Sequence, residues 1–367
     1  MKKGNIVFVI SSLRAGGAER VCSLLSNYFD QEGFTVTILV KKGNRDIYYQ
    51  LRPRINVCEI PFARNEKKST LSLFRSSIGY VKSLYRLLVK FSPDIVLSFG
   101  TTTNGAVIMV AKMLKLPIIV SDRTSASGAT WLKKIIRKYI YRLASKVVVL
   151  TRYDRNNYYE KYLKKIEVIP NPIAPDFLFM NKKRKNVILC AGRINSWYVK
   201  GFDRILLIYL EVYRLHPDWE LWFAGNGDIA VLQEKVNELG LASNVKFLGL
   251  IGAMNELYNQ VSIFALPSRK EGLPNVLLEA MTCGCACISF DIITGPSEII
   301  NDDVNGFLVD DDNLDAFGQQ IVNLIENEDL RQEMGMAAIE KSREFDIKDI
   351  GNRWINLING LLNEMGR

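Results

Sequence analysis

Along the chain, short apolar runs alternate with stretches in which apolar residues recur every three or four positions. Such runs read as strands buried on both faces, and the stretches between them as the crossover helices of a parallel sheet. In the first half the strands fall at 5–10, 35–40, 57–60, 95–98, 118–121 and 146–150, with helices at 18–29, 71–91, 103–114 and 131–143. Pro170, Pro172 and Pro175 then impose an extended path, which marks a linker. Beyond it the pattern restarts, with strands near 186–191, 220–224, 245–247, 263–266, 286–289 and 306–309. The expectation is an α/β protein of two Rossmann-like domains, whose ligands sit at the carboxyl ends of the strands.

A length of 367 residues suits two such domains, and 48% apolar with 24% charged residues excludes extensive disorder. Lys2 and Lys3 before the apolar run 6–10 imitate a secretory leader, but the run stops at Ser11 and reads as a buried first strand. No apolar run approaches the roughly 20 residues that span a bilayer. A soluble or peripheral protein is therefore expected. Cys283, Cys285 and Cys287 alternate more closely than paired zinc ligands usually do, and read as small packing residues.

The net charge of +9 is unevenly divided. Residues 1–170 carry 30 Lys and Arg against 11 Asp and Glu, a net of +19; the remainder carries 18 against 28, a net of −10. The first half is thus expected to meet something anionic. Nucleic acid is excluded as partner, because no nucleic-acid module is recognisable and the acidic second half would repel a phosphate backbone. The segment Trp131–Arg142 offers an apolar stripe at 131, 132, 135, 136, 139, 140 and 143, with Lys133, Lys134, Arg137 and Lys138 opposite. That pattern fits a helix docking on anionic lipid.

Three stretches have the residue types for handling phosphate and sugar. Gly16-Gly17 joins the first strand to a helix and lets backbone amides approach a phosphate. In the second half, Arg193 ends a strand and Lys200 follows, cations suited to a diphosphate. Glu271 precedes Gly272-Leu273-Pro274-Asn275-Val276, with Glu279 further on. Pro274 suits the first turn of a helix, which would place Glu271 in the loop and Glu279 roughly 8–12 Å away along it. Asp310-Asp311-Asp312 imitates a metal-binding motif, but sits where Asp caps the helix expected near Leu314.

The Glu271 to Glu279 spacing resembles the E-x7-E motif of family 4 retaining glycosyltransferases, which have the GT-B fold. Gly16-Gly17-Ala18-Glu19-Arg20, Pro170-Asn171-Pro172, Gly192-Arg193, Lys200-Gly201-Phe202-Asp203 and Gly295-Pro296-Ser297-Glu298 match in the same order. The resemblance implies two domains facing across a cleft: 1–172 with a returning C-terminal helix at about 350–367 for the acceptor, and 173–349 for the donor. Arg193 and Lys200 would neutralise the departing diphosphate, Glu271 would contact the hexose, and Glu279 would hold the ribose. Pro274, Asn275 and Val276 would lie close to sugar and phosphate, with Gly16 and Gly17 closing from the other domain.

Two departures stand out. Trp197-Tyr198 lengthen the interval between Arg193 and Lys200, and Ser121-Asp122-Arg123 stand where many relatives carry a histidine. Asp122 and Arg123, with the basic face at 133–138, become candidates for the acceptor side. The implied reaction is front-face transfer of a hexose or N-acetylhexosamine from a nucleotide-diphosphate sugar, plausibly UDP-linked, needing no metal or other cofactor. Its acceptor would be a polyprenyl-diphosphate-linked saccharide of surface-polysaccharide assembly, met on the inner face of the cytoplasmic membrane. A sugar-nucleotide epimerase of the same fold and a non-catalytic membrane scaffold are the alternatives.

Overall fold

The computed structural model describes residues 3–61, 70–124, 130–161, 163–364 and 366; positions 365 and 367, in the expected last helix, lie outside these. The chain forms two compact units, Met1–Pro172 with Ile347–Arg367, and Ile173–Asp346.

The first unit runs β1 (Asn5–Ile10), α1 (Gly17–Gln31), β2 (Thr35–Lys41), β3 (Asn56–Ile60), α2 (Thr70–Phe91), β4 (Ile95–Phe99) and α3 (Thr101–Met113). It continues through β5 (Ile118–Ser121), α4 (Trp131–Ile135), β6 (Lys146–Val149), α5 (Arg152–Asp154) and β7 (Ile166–Val168). Its parallel sheet has the order β3-β2-β1-β4-β5-β6-β7. Phe8 of β1 lies in register with Ile38 and Leu97. Because alternate residues face opposite sides, Ile6, Phe8 and Ile10 enter a core with α1, whereas Val7 and Val9 enter another with α2 and α3. Both faces are covered at the centre of the sheet, so β1, β4 and β5 read as nearly unbroken apolar runs.

The second unit comprises β8 (Lys185–Ala191), α6 (Phe202–Leu215), β9 (Glu220–Ala224), α7 (Ala230–Glu238), β10 (Val245–Gly249) and α8 (Met254–Tyr258). After these come β11 (Val261–Leu266), α9 (Asn275–Thr282), β12 (Ala286–Asp291), β13 (Phe307–Asp310), α10 (Leu314–Glu326) and α11 (Glu328–Ser342). The order of its parallel sheet is β10-β9-β8-β11-β12-β13. Strand order reverses direction beside β1 in one unit and beside β8 in the other. Such switch points leave crevices at the carboxyl ends of the strands.

The chain re-enters the first unit as α12 (Ile347–Glu364), which packs on α1. Trp354 is fully buried there, stacked at 6.3 Å on Phe99, and a side chain of this size contributes about 3–5 kcal/mol. Gly351 is required at the contact: a Cβ there would lie 2.3 Å from the Tyr28 ring. The Tyr28 hydroxyl donates to Asn352 Oδ1 at 2.9 Å, closing the pairing.

Candidate functional site

In the second unit, the loops after β8 and β11 flank the switch point and hold most of the expected donor residues. Arg193 stands exposed at the end of β8. The chain then turns through Ile194–Ser196 and reaches Lys200, whose aliphatic stem lies over Gly192. Gly201 follows with φ +67°, and a Cβ there would fall 1.8 Å from the Pro267 carbonyl oxygen. Only glycine allows this approach of the two loops.

The approach brings Lys200 Nζ within 2.7 Å of Glu271 Oε1. Ser268 Oγ donates to the same oxygen at 2.7 Å, and Thr294 Oγ1 donates to the Glu271 backbone carbonyl at 2.7 Å. Gly295, at φ +106°, lets its own loop lie against Gly272 and Pro274. Glu271 is thereby fixed through both its side chain and its backbone.

Pro274 caps α9 instead of opening its first turn: its ψ of 102° is extended, and the helix begins at Asn275. The expected boundary was therefore one residue early. Proline has neither an N–H nor a capping side chain, so the start of α9 keeps the electropositive character of a helix N-terminus. Glu279 is buried at 4% exposure, and its Oε2 accepts from the Tyr258 hydroxyl at 3.2 Å.

The inserted Trp197-Tyr198 pair belongs to the same arrangement. Arg269 grips Asp203 with both Nη atoms at 2.7 and 2.8 Å, and stacks 4.1 Å from the Tyr198 ring centre. Its backbone N–H donates to the Val199 carbonyl at 2.9 Å. The Asp203 carboxylate raises the Arg269 pKa above its ordinary value. These contacts staple the Lys200 loop to the Glu271 loop, so the lengthened interval is absorbed by a surface turn. Sequence reasoning gave Arg269, Ser268, Thr294 and Tyr198 no role, since nothing along the chain links residues so far apart. Arg269→Ala is expected to lower kcat/KM for the donor about 10²-fold through misplacement of the pair, with little change in the unfolding midpoint. In a Glu271→Ala background it should add almost nothing, a non-additivity that a double-mutant cycle measures.

In the first unit, Gly16 caps α1 in an extended conformation, and Ser12 Oγ donates to Glu19 Oε1 at 3.0 Å. At the end of β5 lies a buried polar cluster. Arg137 binds Asp122 through Nε at 2.7 Å and Nη2 at 3.0 Å. The Tyr159 and Tyr141 hydroxyls donate to Asp122 Oδ2 at 2.7 and 3.1 Å, and Thr101 Oγ1 to Oδ1 at 3.1 Å. Burial pushes the Asp122 carboxyl up, but Arg137 and the two tyrosines outweigh it and hold the pKa below its usual value. Arg123 is buried against the stacked Phe99 and Trp354 rings, 5.1 and 5.7 Å from their centres, and donates to Asn171 Oδ1 at 2.5 Å. Burial lowers its pKa to about 9, still protonated at neutral pH.

This corrects the reading of 131–143. Past Ile135 the chain winds as a wider π turn at Ile136–Ile140, so the helical phase shifts and Arg137 swings inward to 3% exposure. Most of the apolar stripe is exposed: Trp131 at 73%, Leu132 at 51%, Ile135 at 41% and Tyr139 at 54%. Lys134 and Lys138 are exposed beside them, with Lys133 half-buried.

The two remaining motifs are structural. Cys283, Cys285 and Cys287 are buried free thiols, and burial pushes Cys285 up to about 11. Asp311 and Asp312 pair with Arg204, while Asn313 caps α10 in place of the expected aspartate.

The sequence matches Glycosyltransferase Family 4 over residues 15–177 and Glycosyl transferases group 1 over residues 178–341. The chain is a family 4 glycosyltransferase. It is 29% identical to the amylovoran biosynthesis glycosyltransferase AmsD of Erwinia amylovora, over 96% of this chain and 99% of that one. It is 27% identical to a Campylobacter jejuni α-1,4-N-acetyl-D-galactosaminyltransferase named for a diNAcBac-PP-undecaprenol-linked saccharide, over 96% and 98%. In fold it resembles sucrose-phosphate synthase from Thermosynechococcus elongatus, with a TM-score of 0.83 at 16% identity over 99% of this chain and 100% of that one. Anabaena Alr3699/HepE in complex with UDP and glucose gives a TM-score of 0.80 at 16% identity, over 97% and 100%. This family 4 glycosyltransferase accordingly has the GT-B fold and is a retaining enzyme. Among its described residues no helix is long and apolar enough to cross a membrane.

Proposed function

We propose that this glycosyltransferase moves a hexose or N-acetylhexosamine, with retention, from a UDP-sugar to a polyprenyl-diphosphate-linked saccharide in surface-polysaccharide assembly. The observation that carries the donor side is the Lys200–Glu271 pair held beside Arg193 and the start of α9. In the reaction, Lys200 and Arg193 would take up the charge of the departing diphosphate, aided by the α9 amides, while Glu271 turns to the sugar. Glu279 and its Tyr258 partner would meet the ribose, and Gly16 and Gly17 are the first unit's candidates for donor contact. The acceptor hydroxyl would lose its proton to the departing phosphate, since Asp122 is committed to Arg137 and the tyrosines.

The acceptor half of the proposal draws on relatives. The Campylobacter jejuni protein's name specifies an undecaprenol-linked saccharide, and that of AmsD specifies amylovoran biosynthesis. Exposed Trp131, Leu132 and Tyr139 among Lys134 and Lys138 support docking on the anionic inner face of the cytoplasmic membrane. The experiment is a thermal-shift and hydrolysis screen against UDP-, GDP- and ADP-sugars in EDTA, repeated with bacterial membranes supplying acceptor. Stabilisation with slow UDP release, accelerated by membranes, is expected. Silence in both arms would overturn the reading.

A further inference from the structure

Facing away from the sheet, the helices of the first unit carry apolar residues that no described element covers. α3 lies between α2 and the 131–143 segment, and all three pack their inner sides into one core. Along α2 and α3 the outward residues Ile78, Tyr85, Met109 and Met113 are 53%, 38%, 47% and 66% exposed. Ser77, Ile78, Val81, Lys82, Tyr85 and Met113 enclose a groove of about 450 Å³. Neither α2, α3 nor 131–143 contains a single Asp or Glu, whereas Lys82, Arg86, Lys112 and Lys138 are exposed on them.

An apolar groove with Lys82 in its wall, on helices that carry cations and no carboxylates, suits a ligand with a hydrocarbon tail and an anionic head. A second copy of this chain would bring the same positive face and be repelled. Position sharpens the choice. The start of α3 lies at the carboxyl edge of the sheet, where ligands of this fold sit, and Met113 ends the same helix. The rise along α3 puts the groove about 18 Å from that edge. A ligand whose head reached the sheet edge would need a tail of about that length to reach Met113.

We propose that the α2–α3 groove seats the hydrocarbon chain of the lipid acceptor, with the diphosphate directed toward the start of α3. The inference rests on the lipid-linked acceptor reading above. It assigns the chain a binding site of its own, separate from general attachment to the bilayer.

The test measures binding of the full-length protein to prenyl diphosphates of increasing chain length at constant detergent. In the wild type, affinity should rise by about tenfold or more between isopentenyl diphosphate and a chain longer than about 18 Å. Ile78→Glu and Met113→Glu sit at exposed positions where charge is compatible with folding, which the unfolding midpoint checks. Each should reduce the gain to about threefold or less. A second arm follows flotation with phosphatidylglycerol–phosphatidylethanolamine vesicles that lack prenyl lipid. There the two variants should float as the wild type does. The proposal is overturned by no chain-length gain in the wild type, by an undiminished gain in the variants, or by equal losses in the two arms. A silent donor screen beside an intact chain-length gain would reject the transfer reaction and leave the groove standing.

Discussion

Lys200→Met is expected to lower sugar transfer about 10²–10³-fold, the cost usually seen when one preorganised donor to a developing anion is removed. The leaving diphosphate gains charge as the sugar departs, and Lys200 is the cation that Gly192, Gly201 and Glu271 together hold at the switch point. A methionine keeps the stem against Gly192 and removes only the charge, so packing is preserved. Glu271→Gln should fall by a similar factor, because the amide can accept from Ser268 but carries no charge for Lys200 or the sugar. If the two act as a unit, the double variant will be hardly worse than either single one. The measurement is steady-state release of nucleoside diphosphate at saturating donor. Normal turnover by either single variant would remove the pair from the reaction.

Asp122→Ala is expected to destabilise the first unit by about 3–5 kcal/mol, because it leaves Arg137 buried and without its counter-ion. The pH dependence follows from the depressed Asp122 pKa. A carboxyl of lowered folded pKa contributes stability that is fully present above its unfolded value, about 3.9, and is lost as pH falls through the folded value. The wild type should therefore lose stability on acidification below about pH 4 more steeply than Asp122→Asn does. Thermal unfolding of both proteins between neutral and acid pH checks the sign. Parallel acid limbs would show that the cluster is not the titrating element.

The inner strands β1, β4, β5, β8, β11 and β12 were legible because each is buried almost throughout and carries an apolar run. β7 was not: its three residues, Ile166–Val168, are only half-buried at a sheet edge and offer no such run. The loops after β8 and β12 were legible through the family pattern at Gly201 and Gly295, where the close approach and positive φ call for glycine. Arg137 was misread because a regular 3.6-residue period was applied to a segment that changes its winding after Ile135. The Arg269–Asp203–Tyr198 contact was invisible for another reason. It exists only once β8 and β11 lie side by side, and neither loop alone signals its partner.

The return of α12 to the first unit also orders events during synthesis. Trp354, Ile358 and Leu361 belong to the same core as Phe8 and Phe29, so that core stays unfinished after residue 172 has left the ribosome. At about 5–20 residues per second, roughly 10–40 s pass before the last of those side chains emerges. During that interval the second unit is being made, and it has all its residues, to Asp346, before α12 follows, while the first waits with the α12-facing side of α1 uncovered. In this protein the half made first is completed last, and the interval is its window of exposure to chaperones and to misassembly.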